Sequence, residues 1–351
     1  MKIIEINCFC IFNDVENNDY RDYKNYRDYK NYKKSIFSHD DGNIFTGLST
    51  LFVFSFILMA ILLLNFTVSS SDINTDSTIS NNFNYIIEDY NRNIPIIAKE
   101  VIGNLSNEVI KNHAPCYSAE NMLKNRLQKS LDDNSEKYIK NNDIIIESEV
   151  LSVYNGRDPY HINVKTLVTG KKGKMEYNHV VESVVSIEGE KDPLPFLMCK
   201  DYPTLVEEGR KINYNDALSY YLTKNGLLNP YVYENATAPL IIRRCPYNPY
   251  EHHGEGMCMK NCVDNGYFHE SADGACYLCR LEGKATCHHY GLETIISPHK
   301  VPNLDDTSIS GSDHVIYQDH YPGKAIEIYY ENGFYEILIL DDSHGAKYGM
   351  V

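Results

Sequence analysis

The hydrophobic pattern of the chain is dominated by one apolar run, which covers residues 44–66. No charged side chain falls between Asp41 and Asp72. A helix needs about 20 mostly apolar residues to cross the ~30 Å hydrocarbon core of a bilayer. The pattern therefore predicts a transmembrane helix over 44–66, with membrane lipid as the partner of this segment.

The charged residues on either side of the apolar run predict its orientation. Basic side chains are frequent between residues 21 and 34, whereas none follows the run before Arg92. Since positive side chains near a span stay in the cytoplasm, we expect a cytoplasmic N-terminus and an extracellular C-terminal domain. The run is too long for a cleavable signal peptide, and a core helix of this length rarely lacks a polar face. The prediction is a single-pass signal anchor in the cell membrane.

The segments that flank the run are polar and offer no core. Residues 1–43 contain a Tyr-centred triplet repeat over 19–33, whose period fits neither a helix face nor a strand face. This pattern predicts a low-complexity cytoplasmic tail or leader. Residues 67–82 are rich in Ser, Thr, Asn and Asp, whose side chains compete for backbone hydrogen bonds, so we expect a linker there.

Beyond the linker the pattern first indicates helices. Apolar residues recur every four positions from Ile97 to Val109, and Pro95 is best tolerated near a helix start. A second helix is predicted over 118–141, where leucines share one face. A short helix over 215–224 is also expected.

The later part of the chain has strand patterns. Runs rich in Ile and Val at 143–154 and 160–168, followed by Gly at 170 and 173, predict an antiparallel meander. Two further strands at 325–330 and 334–340 flank an Asn-Gly turn, which predicts a tight hairpin. The fold class is thus α+β, with an N-terminal transmembrane helix, a helical stalk and an antiparallel β-rich ectodomain. The expected ectodomain parts are an α+β region at 83–244, a Cys/His-rich module at 245–291 and a C-terminal hairpin part at 292–351.

Cysteine placement gives the strongest candidate chemistry. Eight of the ten cysteines lie on the predicted external side, and six of these crowd into a loop-rich segment. An even number of external cysteines favours a disulfide framework, although the spacing leaves the pairing open. The disulfide candidates are Cys116, Cys199, Cys245, Cys258, Cys262, Cys276, Cys279 and Cys287.

A zinc site is the alternative interpretation of the same segment. The external location favours disulfides and no cofactor, but the spacing of four cysteines also fits tetrahedral thiolate ligation, with His252, His253, His288 and His289 nearby. The alternative zinc ligands are Cys258, Cys262, Cys276 and Cys279.

Other candidate sites have weaker sequence signals. Asn104 and Asn235 begin Asn-x-Ser/Thr sequons and are candidate glycan acceptors. His314, His320 and His344 lie beside acidic residues, yet the chain has no nucleophile elbow, no His-Glu-x-x-His and no phosphate-binding glycine loop. We therefore assign no catalytic residue and do not expect an enzyme.

The formal net charge of the chain is −15. Because such a surface repels the phosphate backbone, nucleic acid is not an expected partner. The sequence predicts a membrane-anchored cell-surface protein with a structural, adhesive or recognition role. A surface metal-binding protein or metalloenzyme that uses the Cys/His module is the alternative.

The sequence from His39 to Gly42, followed directly by the apolar run, resembles archaeal type IV pilin-like proteins. Residues 185–194 and 313–317 also look like segments of membrane-anchored proteins from methanogenic archaea. The resemblance implies processing after Gly42, an N-terminal membrane helix, an external α/β head and other surface or pilus-like subunits as partners. Gly47 stands where filament-forming members carry Glu, which favours an anchored surface protein over a pilin.

Overall fold

A computed structural model of the chain describes ten stretches of residues, which fall into two units, Met1–Ile73 and Asn74–Val351. Most of the predicted N-terminal tail, with Cys8 and Cys10, lies outside the described residues, as does His320. The described stretches are 41–142, 144–201, 205–207, 209–226, 233–254, 258–297, 311–317, 324–329, 335–340 and 342–349.

Within the first unit, the described residues belong to helix α1, Asp41–Asn112. Its side chains at 47–63 are exposed. The hydroxyls of Thr50 and Ser55 each donate 2.8 Å hydrogen bonds to carbonyls three residues earlier. These polar residues therefore remain compatible with the helix.

The predicted transmembrane helix over 44–66 is wrong for this structure. In the part of the chain that the structure describes, no helix combines the length and the apolar content that a membrane span requires.

Helix α1 also replaces two other predicted features. Residues 67–82, predicted as a linker, are helical, and Pro95 lies inside the helix instead of near its start. The segment 67–82 contains neither Gly nor Pro. Its Ser, Thr, Asn and Asp residues each disfavour a helix by less than about 0.7 kcal/mol, so helical structure is not excluded.

The second unit contains residues 74–112 of α1, the remaining helices and all of the described strands. The helices are α2 Ala119–Asn142, α3 Leu194–Met198, α4 Ala217–Lys224, α5 Cys258–Asn265, α6 Tyr277–Leu281, α7 Asp313–Tyr317 and α8 Asp342–Lys347, together with a 3-10 helix at Tyr250–Gly254. The strands are β1 Ile145–Asn155, β2 His161–Lys172, β3 Met175–Ser186, β4 Leu205–Glu207, β5 Lys211–Asn213, β6 Thr237–Pro239, β7 Phe268–Ser271, β8 Gly291–Ile296, β9 Gly311–Ser312, β10 Lys324–Tyr329 and β11 Tyr335–Leu340.

The predicted α+β class with antiparallel sheets is confirmed. Strands β1, β2 and β3 form the predicted meander, while β4, β5 and β6 form a second sheet and β7, β8 and β9 a third. Strands β10 and β11 form the predicted C-terminal hairpin, although its turn at 330–334 lies outside the described residues.

The meander packs closely against α1. Strand β2 continues through Gly170 and ends in a two-residue turn at Gly173, whose φ is +58°. A Cβ added at Gly170 would lie 2.4 Å from Cδ1 of Ile87 in α1, so glycine allows the strand to approach the helix. The hydroxyl of Tyr90 in α1 lies 2.9 Å from Oγ of Ser135 and 2.7 Å from Oγ of Ser148. This buried polar contact joins α1 to α2 and β1.

The Cys/His-rich segment shares the main hydrophobic core with these elements. Phe268, Tyr277 and Leu292 are buried together with residues of α1, α2 and the meander. A second core contains α4 and α7 and includes Cys199. The segment that holds most cysteines is therefore packed into the body of the second unit.

Candidate metal centres

Eight Cys and His residues form two compact groups with the donor atoms that zinc prefers. In each group the four possible ligand atoms lie within 4.8 Å of one another. The first Cys/His cluster consists of Cys245, His253, Cys262 and His269. The second Cys/His cluster consists of Cys276, Cys279, Cys287 and His289.

Separate elements supply the ligands of the first Cys/His cluster. Cys245 precedes the 3-10 helix that carries His253, α5 carries Cys262 and β7 carries His269. All four residues are buried. The backbone N–H of Cys245 donates a 3.1 Å hydrogen bond to the carbonyl of Phe268. This bond holds Cys245 beside β7, the strand that carries His269.

The distances in the first cluster match a tetrahedral site. The sulfurs of Cys245 and Cys262 are 3.3 Å apart, and Nε2 of His253 lies 3.4 Å and 3.3 Å from them. Around a zinc ion, two tetrahedral sulfur ligands lie about 3.8 Å apart and a sulfur and a nitrogen about 3.5 Å apart. The donors therefore converge on one point and need to move outward by about 0.5 Å or less to hold the ion.

The orientation of His269 also fits metal ligation. Its Nδ1 lies 3.0 Å from the hydroxyl of Tyr348, and that hydroxyl in turn donates a short hydrogen bond to Glu293. Because the Tyr348 proton points to the carboxylate, Nδ1 carries the imidazole proton. Nε2 is buried without a hydrogen-bond partner among the described residues. A ligand histidine fixed through its second nitrogen by a polar neighbour is typical of metal sites.

The electrostatics of the first cluster favour a thiolate. The hydrogen bond with Cys262 lowers the pKa of Cys245 to about 3, although burial acts in the opposite direction. The hydrogen bond with His253 lowers this pKa further. The backbone N–H of Tyr247 also donates to the Cys245 sulfur, at 3.5 Å. Burial lowers the pKa of His269, which favours the neutral imidazole that binds metals.

The second Cys/His cluster lies where α6 meets β8. Cys276 precedes α6 and Cys279 lies within it, while His289 lies two residues before β8. Nδ1 of His289 is 3.5 Å from the sulfur of Cys276 and 3.7 Å from that of Cys279. The backbone N–H of Cys276 donates to the sulfur of Cys287 at 3.3 Å, so helix and loop converge on one point.

The three thiols of the second cluster cannot all ionise easily beside one another. Hydrogen bonds from Cys276 and Cys279 lower the pKa of Cys287, whereas the pKa of Cys279 is raised by Cys276 and Cys287. Neighbouring thiolates at this distance repel each other, whereas a bound divalent cation stabilises their ionised form. The donor set is therefore suited to a cation.

The alternative zinc ligands predicted from the sequence are divided between the two clusters. Cys262 belongs to the first, whereas Cys276 and Cys279 belong to the second. The side chain of Cys258, at the start of α5, is outside the described part of the structure. The four residues thus do not form the single predicted site.

The remaining disulfide candidates lie away from the clusters. Cys116 and Cys199 are buried free thiols in the main and second cores, respectively. In the first cluster, the 3.3 Å separation of the Cys245 and Cys262 sulfurs exceeds the about 2.05 Å of a disulfide bond. The disulfide framework stays a prediction.

Sequence reasoning did not identify His269 as a ligand, nor did it group His253 and His289 with particular cysteines. The available signal was an ordered series of Cys and His residues at short spacings between positions 245 and 289. Eleven Cys and His residues lie in this range, so the spacing alone does not show which eight of them form the two groups.

The structure describes the positions of the candidate glycosylation and processing sites. Asn104 is exposed within α1, although the hydroxyl of Ser106 in its sequon is buried and donates to the Lys191 carbonyl at 2.9 Å. Asn235 is exposed in a turn with φ of +61°. Gly42 lies in the first turn of α1. Glycosylation and processing at these positions stay predictions.

Gly291 allows β8 to pass beside the second Cys/His cluster. A Cβ added there would lie 2.4 Å from the Gly274 carbonyl oxygen and 2.7 Å from the Cys276 nitrogen. We expect Gly291→Ala to lower the free energy of unfolding by about 1–3 kcal/mol, because backbone must move. Urea unfolding would measure the change. Gly47→Ala, where nothing lies within 4 Å of the added Cβ, is the control and should not destabilise the protein.

Comparisons with protein-family models, curated proteins and solved structures gave no match to this chain. The resemblance to archaeal pilin-like surface proteins therefore stays a prediction.

Proposed function

We propose that this chain is a zinc-binding protein in which the two Cys/His clusters each hold one structural ion. The observation that carries the proposal is the convergence of four Cys and His donors within 4.8 Å at each of two places. Cysteine thiolate and histidine imidazole are the usual ligands of structural zinc, and four protein ligands complete its tetrahedral shell.

The number of protein ligands around each ion supports a structural role for both ions. Catalytic zinc sites keep one position for water or substrate, whereas structural sites fill all four positions with protein ligands. Each cluster offers four donors from the protein. These ions accordingly support a binding or structural role for the protein, and no catalytic step is assigned to them.

The positions of the clusters explain what the ions stabilise. The 3-10 helix, α5 and β7 are short, and an ion in the first cluster joins all three. An ion in the second cluster joins α6 to the loop before β8. Short elements hold their place poorly by secondary structure alone, so metal ligation contributes directly to folding.

A disulfide in the first cluster is a poorer explanation of the same geometry. Oxidation of Cys245 and Cys262 would draw the sulfurs together and remove the thiolates that face the imidazole of His253. Nε2 of His269, already without a hydrogen-bond partner among the described residues, would then remain buried and unsatisfied. An unpaired buried polar group destabilises a protein by about 1–3 kcal/mol.

Metal analysis of the purified full-length chain tests the proposal. We expect an organomercurial reagent, which displaces zinc from thiolates, to release about two zinc ions per chain. Thiol titration in denaturant without reductant should find the cysteines of both clusters reduced. Metal-free protein with these cysteines protected from alkylation would instead show disulfides and contradict the proposal.

Ligand variants locate the released ions. Cys262→Ala and Cys276→Ala should each reduce the mercurial-released zinc by about one ion per chain, because each belongs to a different cluster. Cys199→Ala is the matched control, since Cys199 is equally buried but lies in the second core. An equal loss of zinc in the control would contradict the assignment.

A further inference from the structure

A third group of potential ligands lies beside the first Cys/His cluster and contains no cysteine. The Glu/His cluster consists of Glu293, His314 and His344, whose possible ligand atoms lie within 4.8 Å of one another. All three residues are buried. They come from β8, α7 and α8, so residues distant in the sequence converge here.

Glu293 and His344 are in direct contact. Nε2 of His344 lies 2.9 Å from Oε2 of Glu293. The second carboxylate oxygen accepts hydrogen bonds from Nζ of Lys347, at 2.7 Å, and from the hydroxyl of Tyr348. One oxygen of the carboxylate therefore faces His344, while the other is held by Lys347 and Tyr348.

His314 has two carboxylates within ion-pair distance, yet its ring makes no hydrogen bond to a described residue. Its side chain is only 5% exposed. Nδ1 lies 3.8 Å from Oε2 of Glu293 and 3.6 Å from Oδ1 of Asp313, beyond hydrogen-bonding distance. Neither of its ring nitrogens has a hydrogen-bond partner among the residues described. A buried imidazole without hydrogen bonds destabilises the folded protein unless another group binds its lone pair.

We propose that Glu293, His314 and His344 bind a third metal ion, a divalent first-row transition ion such as Zn²⁺ or Fe²⁺. Two imidazoles and one carboxylate are a donor set used for both ions. Three protein ligands leave at least one coordination position for a water molecule or a small ligand, unlike the four-donor Cys/His clusters. The third ion therefore belongs to a different chemical class of site.

The Glu/His cluster is connected to the first Cys/His cluster through Tyr348. His269 and Glu293 are paired residues on the antiparallel strands β7 and β8. The Tyr348 hydroxyl lies between them, 3.0 Å from Nδ1 of His269 and hydrogen-bonded to Oε1 of Glu293. Tyr348 is thus a positioning residue for one ligand of each centre.

Reconstitution of the wild-type protein with Co²⁺ under anaerobic conditions tests the third site without any substitution. Thiolate ligands give intense charge-transfer absorption with Co²⁺, whereas imidazole and carboxylate ligands give only weak visible bands. We expect about three Co²⁺ ions per chain, of which about two contribute thiolate charge transfer. If the protein is saturated at about two Co²⁺ ions per chain and both give thiolate charge-transfer absorption, the third site does not exist.

His314→Leu provides an independent measurement. We expect this variant to lose one ion per chain while the thiolate charge-transfer absorption stays unchanged. His179→Leu, on the exposed surface of β3, is the matched control and should keep all ions. If His314→Leu binds as many ions as the control, the proposal is wrong. If His314→Leu does not fold, the wild-type titration still decides.

Tyr348→Phe tests the connection between the two centres. Loss of a hydrogen bond to a ligand typically weakens metal affinity by about 10–100-fold. We expect this loss at the first Cys/His cluster and the Glu/His cluster but not at the second Cys/His cluster. Equal affinities in wild type and variant would refute the positioning role. The two proposals fail separately, because disulfides would abolish the charge-transfer bands and leave the weak bands in place.

Discussion

Cys279→Ala is expected to remove a large share of the stability of the second unit. Cys279 is buried in the main core and is one of the four possible metal ligands of the second Cys/His cluster. Apparent binding free energies of structural zinc are about 10–16 kcal/mol, compared with about 5–15 kcal/mol for the whole stability of a domain. Loss of one of four ligands therefore removes a large share of the stabilising energy. Circular dichroism during urea unfolding, with zinc analysis of the same sample, measures the effect.

Cys199→Ala separates metal ligation from simple loss of a buried thiol. Cys199 is 3% exposed, compared with 7% for Cys279, and it lies in the second core. We expect this control to lose about 0.5–3 kcal/mol, the ordinary range for a single substitution. The structural role of the second ion would be refuted if both variants unfolded at the same urea concentration and retained equal zinc. Chelator treatment of the wild type should reproduce the behaviour of Cys279→Ala.

The second large effect is expected at Arg280, whose side chain is completely buried. Its guanidinium forms a bidentate pair with Asp192, at 2.9 Å and 2.6 Å, and also contacts Asp313 at 2.5 Å. A further hydrogen bond of 3.2 Å reaches the carbonyl of Leu292 in β8. This one residue therefore joins three separate parts of the second unit.

Arg280→Met should lower the free energy of unfolding by about 3–5 kcal/mol, because it leaves the carboxylates of Asp192 and Asp313 buried without their cation. Urea unfolding at neutral pH measures the change. Adding Asp192→Asn and Asp313→Asn to the variant should recover part of the loss, since the uncompensated charges are then removed.

An exposed arginine pair provides the comparison for Arg280. Arg126 forms a bidentate pair with Glu108 at 2.7 Å and 3.0 Å, but both side chains are partly exposed, at 35% and 47%. We expect Arg126→Met to change stability by about 1 kcal/mol or less. Similar losses for Arg126→Met and Arg280→Met would show that burial of the charges does not determine the effect.

Local sequence patterns predicted many elements of the second unit. The leucine spacing of α2, the Ile/Val runs of β1 to β3 and the Asn-Gly turn of the C-terminal hairpin all depend on neighbouring residues. The extent of α1 was not predicted, because the Ser/Thr/Asn/Asp content of 67–82 was given more weight than its lack of Gly and Pro. Helix propensity differences of this size do not decide a structure alone.

The grouping of metal ligands could be predicted only in part. The spacing of Cys276 and Cys279 was compatible with zinc ligation, which was the alternative to the favoured disulfide framework. The Glu/His cluster depends on the pairing of β8 and on the placement of α7 and α8. The buried ion pairs of Arg280 were likewise not predicted, since its two aspartates are 88 and 33 positions away in the sequence. Long-range contacts of this kind leave no periodic signal.

The order of the three clusters along the chain has a consequence for biosynthesis. The first Cys/His cluster ends at His269, before the second begins at Cys276, and the Glu/His cluster is completed only by His344. Each Cys/His cluster closes a short loop, which limits the entropy lost when its ion is captured. Under the proposed metal assignment, a nascent polypeptide leaving the ribosome would acquire its ions one after another from the N-terminal side, and the Glu/His cluster would be filled last.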